Sequence, residues 1–187
     1  MPYPSQINET TILEAALAMI EADGVDRFSL NKLAKALGVK TPSFYRYFKN
    51  KNDILRAINV QTTQSVFESL QVGLDAEGDA FTKLLVGSRA YRKFALDNPL
   101  IYDLAYTNTI PELNPDDSER TPPVLPYQTL MAKLSGEADS LPALRGLLAL
   151  MHGFVMLELA NQYQRGGDLS DAYEKSIRAY LRGWDSR

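Results

Sequence analysis

Apolar residues recur along this chain with helical spacing, and nowhere is there the alternation of a strand. Ile12, Ala16, Met19 and Ile20 fall at i, i+4, i+7 and i+8, the stripe of a helix lying on a core. Gly24 follows Asp23 as a left-handed stop. Phe28 and Leu30 lead into a short second helix carrying Leu33, Ala34 and Leu37, which Gly38 ends. After only two intervening residues, Val39 and Lys40, Thr41 can cap a third helix. Pro42 fits its first position, where a missing N–H costs nothing, and the helix is predicted from Pro42 to about Phe48. Asn50 reads as the cap of a fourth helix, Lys51 to about Leu74, with Asp53 favourable to its dipole.

Asp75 to Gly78 makes a break. A fifth helix follows, with Phe81, Leu84, Leu85, Tyr91 and Phe94 inward, to about Asp97; Asn98-Pro99 then bends the chain into a sixth, Pro99 to Tyr106. Residues 108 to 126 hold five of the ten prolines and read as a surface loop. Helices are predicted again from Pro126 to Leu134, from Ser140 to Arg165 (closed by Gly166-Gly167) and from about Leu169 to Trp184. The expectation is an all-α chain of about nine helices.

Composition narrows the function. The 187 residues, 45% hydrophobic, suffice for one domain or two small ones sharing an interface. With no cysteine there is no disulfide framework, thiolate zinc site or cysteine nucleophile. The start, Met1-Pro2-Tyr3-Pro4-Ser5, lacks the basic and apolar segments of a signal peptide, and the richest apolar stretch, Leu144 to Ala160, is broken by Arg145, His152 and Glu158, so a cytoplasmic location is expected. Net charge is -3, but residues 1–60 carry eight Lys/Arg against six Asp/Glu. Between 27 and 56, Arg27, Lys32, Lys35, Lys40, Arg46, Lys49, Lys51 and Arg56 face only Asp53. Such a run is ordinarily a solvated face, so the architecture around it decides.

That architecture is a helix-turn-helix: two short helices joined by a tight turn at Gly38, with a longer helix across them. The second must enter a major groove about 12 Å wide and bring its first residues to base edges, with neighbours holding phosphates. In Thr41-Pro42-Ser43-Phe44-Tyr45-Arg46-Tyr47-Phe48, Phe44 and Phe48 fall on one face as anchors, leaving Thr41, Ser43, Tyr45, Arg46 and Tyr47 on the others. Two tyrosines beside an arginine suit phosphate bonds, stacking on sugars and base contact, although one of the two tyrosines could equally be half-buried. Lys51 places a cation beside the free N–H groups of the next helix, a seat for phosphate.

Residues 10–58, especially Phe28-Ser29-Leu30-Asn31-Lys32-Leu33-Ala34-Lys35-Ala36-Leu37-Gly38-Val39 and Ser43-Phe44-Tyr45-Arg46-Tyr47-Phe48-Lys49-Asn50-Lys51-Asn52-Asp53-Ile54-Leu55, resemble the tetracycline-repressor-like (TetR) regulators. That family usually reads Leu-Tyr-any-His-Phe here; this chain has Phe44 for Leu and Tyr47 for His. The resemblance implies phosphate contacts at Tyr45 and Lys51 and variable base-reading or backbone-reading positions at Thr41, Pro42, Ser43, Arg46 and Tyr47. Ser29, Asn31 and Lys40 complete the expected DNA-binding set. Tyr91 to Tyr102 and Leu150 to Leu159, with its His152-Gly153 pair, resemble a recurring TetR C-terminal region, with Leu148 where that region often carries Trp.

The expected division is a DNA-binding head over 1–50 and a ligand-binding, dimerising helical body over 51–187. Ser140 to Arg165 is apolar nearly all round, and Gly146, Ala149, Gly153 and Ala160 put small residues along one stripe. The last helix sets Tyr173, Ile177, Leu181 and Trp184 on one face, with Ala172, Ser176, Ala179 and Gly183 beside it. Packing within the chain accounts for one face of each helix. The resemblance implies that both helices pair with those of a second copy, and the pattern is compatible with a four-helix interface there. Gly146, Ala149, Gly153, Ala172, Ser176, Ala179 and Gly183 are the interface candidates.

Tyr91, Phe94, Tyr102, Tyr106, Met151, His152 and Phe154 are candidates to line a pocket, although stripes of aromatics and Met are more often plain core. A ligand there would be apolar or aromatic. No metal or cofactor site is expected. Catalysis finds little to work with: one histidine, no cysteine and no Glu-x-x-His pair, while Glu158 lies about 600° around a helix from His152. The reading is a homodimeric, palindrome-binding repressor released by an apolar effector. A DNA-binding protein without sensing is the alternative, favoured if bulky side chains fill any pocket.

Overall fold

Capping residues set where the helices of the computed structural model begin; the structure describes residues 7–106, 113, 114 and 116–185. Helix α1 (Glu9–Asp23) starts at a capping box: the Asn8 side chain accepts from the Thr11 N–H, and the Thr11 hydroxyl accepts from the Asn8 N–H. It stops at Gly24, whose φ of 83° suits glycine. Ser29 caps α2 (Leu30–Ala36), and Gly38, at φ 66°, turns the chain away from it. Helix α3 (Lys51–Asp75) is capped by the Asn50 side-chain carbonyl, which accepts the Asp53 N–H.

Where a third α-helix is expected from Pro42 to Phe48, a 3₁₀ turn forms instead over Thr41–Phe44. Ser43 donates to Lys40, Tyr45 to Pro42 and Tyr47 to Phe44, all three residues apart. One i→i+4 bond, Phe48 to Phe44, follows, but a segment this short cannot propagate the ladder, and Pro42 lacks a donor. Eight α-helices therefore stand among the described residues, with the 3₁₀ turn in the place of the ninth.

The chain divides into two compact units. One comprises Met1–Thr63 with Leu100–Asp116, the other Gln64–Pro99 with Asp117–Arg187. In the first, Ile12, Ala16 and Ile20 of α1 join Phe28, Leu33, Phe44, Phe48, Ile54 and Ile58 in one buried cluster. Helix α5 (Pro99–Tyr106) supplies the buried Tyr102, whose ring centroid lies 4.7 Å from that of Tyr106.

The second unit packs α4 (Ala80–Asp97), α6 (Asp117–Ser135), α7 (Ser140–Leu159) and α8 (Leu169–Trp184) on one another, with the end of α3. Helices α3 and α4 cross at two glycines: a Cβ on Gly73 would sit 2.7 Å from the Gly87 Cα. The expected loop over 108–126 falls partly on residues 108–112 and 115, outside those described; from Asp117 on it is helix α6, despite Pro122, Pro123 and Pro126. The stripe Tyr127, Leu130, Met131 and Leu134 is buried, and that packing offsets the missing donors. Helix α7 ends at Leu159, six residues before the expected Arg165. Asn161 takes a left-handed φ of 53° there, while Gln162 donates to Leu157 and Asn161 to Glu158, a Schellman cap. Gly166-Gly167 thus lies in the α7–α8 connection.

Candidate nucleic-acid interface

The 3₁₀ turn is mounted on the core by its aromatic residues. Phe44 is fully buried and Phe48 nearly so, which leaves the opposite side of the segment to solvent. Tyr45 is 56% exposed, Pro42, Lys40 and Arg46 are exposed, and Thr41 and Ser43 are half-buried. An exposed tyrosine next to two small hydroxyl residues and a proline makes a slim, hydrogen-bonding surface that fits a groove. The Thr41 hydroxyl donates to the Asn31 side chain at 3.0 Å, tying the start of the turn to α2, and Ser29 accepts from Lys32 as the α2 cap.

Tyr47 is the half-buried tyrosine of the pair: its hydroxyl donates to the Ile7 carbonyl, as does Arg46. Lys51 donates from Nζ to the Val25 carbonyl at 3.1 Å and lies 5.6 Å from the centroid of the Phe28 ring. Its charge thus sits beside the turn between α1 and α2. Around the segment, Lys49 gives its N–H to the Asp53 carboxylate, so the one acidic group of the basic window is engaged in capping.

Residues 12–58 match the description "bacterial regulatory proteins, tetR family". Residues 84–180, more than half of the chain, match "tetracyclin repressor-like, C-terminal domain". The chain belongs to the TetR family. It is a helix-turn-helix transcriptional regulator. An HTH-type transcriptional regulator of Mycobacterium tuberculosis is 32% identical over 164 residues, covering 83% of this chain and 72% of that protein. Among solved structures, a protein from Rhodococcus sp. RHA1 superposes with a TM-score of 0.79 at 22% identity, each chain wholly covered. A single-residue variant of TetR from Acinetobacter baumannii AYE, in complex with minocycline, gives 0.71 at 19% identity, covering 95% of this chain and 96% of that one. At these identities the two structures establish the TetR-like fold.

In this TetR-family chain the second unit holds a partly open apolar cavity of about 20 Å³, lined by Phe67, Leu70, Gly87, Tyr127, Leu144 and Met151 among others. The Tyr127 hydroxyl, donating to the Leu70 carbonyl, lies over Gly87, where a Cβ would meet it at 2.8 Å. Burial holds the Tyr127 hydroxyl well above its ordinary pKa, with Asp75 adding to the effect. Of the seven residues expected to line a pocket, Met151 is the one at this cavity. Tyr91 is buried elsewhere in α4, and Phe94 also lies outside the lining. Tyr102 and Tyr106 belong to the first unit, and Phe154 packs against Tyr163 and Tyr173. Helical periodicity marks an inward face but says nothing of which neighbouring helix leaves a gap. No run of spacing points to Tyr127 or Gly87.

A second unforeseen feature is the Arg92–Glu158 pair joining α4 to α7. It is bidentate, at 2.8 and 2.5 Å, with the side chains only 15% and 13% exposed; Arg92 also reaches Ser170 and the Tyr173 ring. The hydrogen bond to Glu158 holds the guanidinium pKa above its usual value.

The candidate dimer residues divide into two groups. Gly146 is covered within the chain by Tyr180, whose hydroxyl donates to Ala143, so its small size is already used there. Around Gly153 and Gly183, by contrast, no described atom lies within 4 Å of an added Cβ. Ala149 and Ala179 are exposed, Ala172 and Ser176 half-buried, and Leu157 on α7 is 46% exposed. Only 33% of the most apolar stretch of α7 is buried.

His152, half-buried on α7, has a pKa lowered from 6.5 by burial. The fold favours its neutral form, so that stability is fully present above the unfolded value of 6.5 and falls as pH drops below it. Thermal melts between about pH 7 and 5 should show that loss, and His152→Gln should flatten it.

Proposed function

We propose that the protein is a cytoplasmic repressor that binds a palindromic operator as a homodimer, placing one Thr41–Phe48 segment in the major groove of each half-site. Residues 1–50 form the DNA-binding head and 51–187 the dimerising and effector-binding body. The observation that carries this reading is the solvent-facing edge of the recognition segment, with Pro42 and Tyr45 exposed and Ser43 half-buried between them, inside a window whose cations outnumber its single carboxylate. Ser29, Asn31, Lys40 and Thr41 flank that edge, and Lys51 supplies the phosphate charge. The test is selection of bound duplex from a random pool. Enrichment of an inverted repeat is expected; a pool that stays random overturns the reading.

Lys51 exchanges its bond to Val25 for a phosphate on binding. Lys51→Ala should weaken binding to every sequence alike and lower the slope of log affinity against log salt by about one unit, measured by fluorescence anisotropy.

The proposed effector is a neutral apolar or aromatic molecule in the cavity beside Tyr127 and Met151, whose lining is almost wholly apolar. Its size favours a second reading. A drug-sized ligand needs roughly 300 Å³ or more, so an effector site here must open by displacing Tyr127 or its neighbours. A regulator that binds DNA without sensing needs no such opening. Operator release by an apolar compound, lost in a Met151 or Tyr127 variant, distinguishes the two.

A further inference from the structure

Arg46 and Tyr47 adjoin the base-reading edge, but each commits a donor to the start of α1. The Tyr47 hydroxyl donates to the Ile7 carbonyl at 2.5 Å, and Arg46 Nη2 donates to the same oxygen at 3.2 Å. The guanidinium lies over the Tyr47 ring, 4.5 Å from its centroid. Ile7 is buried in the head's core and immediately precedes the Asn8–Thr11 capping box. Both lone pairs of one carbonyl are thereby taken by residues 39 and 40 positions away.

We propose that Arg46 and Tyr47 are positioning residues, clamping the start of α1 to the far end of the recognition segment. Base reading then falls to Pro42, Ser43 and Tyr45, with the Thr41 methyl and lone pairs. The inference rests on the DNA-binding reading for its consequence, though not for the clamp itself. A 3₁₀ turn has few internal bonds, so its orientation depends on what holds it from outside. Three points hold the Thr41–Phe48 segment here: Thr41 on Asn31 at its start, Phe44 in the core at its middle, and Arg46 with Tyr47 on Ile7 towards its end. A tyrosine hydroxyl has a single proton. While Tyr47 gives it to Ile7 it has none for a phosphate or a base, and withdrawing it leaves that carbonyl one donor short.

Tyr47→Phe and Arg46→Ala separate a clamp from a DNA contact. Without DNA, hydrogen exchange at the first turn of α1 should quicken about tenfold in either variant, one net hydrogen bond having been lost. Unchanged exchange overturns the clamp whatever the protein binds. With DNA, affinity should fall about tenfold on the selected operator and equally on its single-base variants, the salt slope staying as in the parent. A reordered base preference, or a slope reduced by one in Arg46→Ala, makes Arg46 a DNA contact and overturns the proposal. Melting curves run alongside: a lowered melting temperature with the folded fraction binding at full affinity reduces the pair to structural support and also overturns it. If the parent chain enriches no DNA, the DNA-binding reading fails, and the exchange measurement still decides the clamp.

Discussion

Gly153→Glu should leave a folded monomer whose operator affinity is down about a hundredfold or more. The substitution is benign within one chain, because no described atom lies within 4 Å of the added Cβ. Its surroundings on α7 are apolar and incompletely covered: Ala149 and Leu157 are exposed, and two-thirds of the helix's most apolar stretch is unburied. If a second copy covers this face, two unpaired carboxylates become buried near the symmetry axis. Burying an unpaired charge typically costs about 3–5 kcal/mol, enough to dissolve an interface of moderate strength. Each monomer then holds a single half-site. Sedimentation velocity and anisotropy titrations read both effects, and a variant that remains dimeric places the interface elsewhere. Gly146 would be a poor choice for this experiment, since Tyr180 already fills its space and a side chain there disrupts the fold itself.

Phe44→Ala should be the most destabilising change in the head. The side chain is completely buried among Ile12, Leu33, Ile54 and their neighbours, and it is the middle fixing point of the Thr41–Phe48 segment. Truncating a buried phenylalanine costs about 3–5 kcal/mol through lost burial and the cavity left behind. That is a large fraction of a stability of about 5–15 kcal/mol. Urea titrations should show the loss, and DNA binding should vanish on specific and non-specific duplex alike. Tyr45→Ala, at an exposed position 56% open to solvent, should weaken DNA binding while leaving the titration curve nearly unmoved. If the two variants behave alike, the division of the segment into anchors and readers is mistaken.

Local chemistry made much of this protein legible from its residues. The caps at Asn50, Gly24 and Gly38, and the four-residue spacing of Phe44 and Phe48, each act within one turn of chain, and each stands in the structure as read. Helix α8 runs from Leu169 to Trp184, as its stripe implies. The departures came where one local signal was overruled by another or by packing. Five prolines suggested a loop over 108–126, and from Asp117 on the helix carried by the buried face of Tyr127, Leu130, Met131 and Leu134 runs through three of them. Gly166-Gly167 suggested that α7 ran on to Arg165, and a single asparagine in left-handed conformation stopped it six residues earlier.

Long-range pairings left no local trace. The bonds from Arg46 and Tyr47 to Ile7 span 39 and 40 residues, and Arg92 meets Glu158 across 66. The Tyr127 side chain closes over Gly87 because α3, α4 and α6 converge there, and periodicity on any one helix cannot reveal a gap between three.

The central claim, that two copies each place a Thr41–Phe48 segment in a major groove, is most directly tested by methylation protection of guanine N7 on the selected operator. That atom faces the major groove. Two protected patches are expected, related by the operator's two-fold axis and separated by a whole number of helical turns, both disappearing with Gly153→Glu. Protein bound at saturation with every guanine N7 still reactive, or protected in one patch only, would contradict the claim.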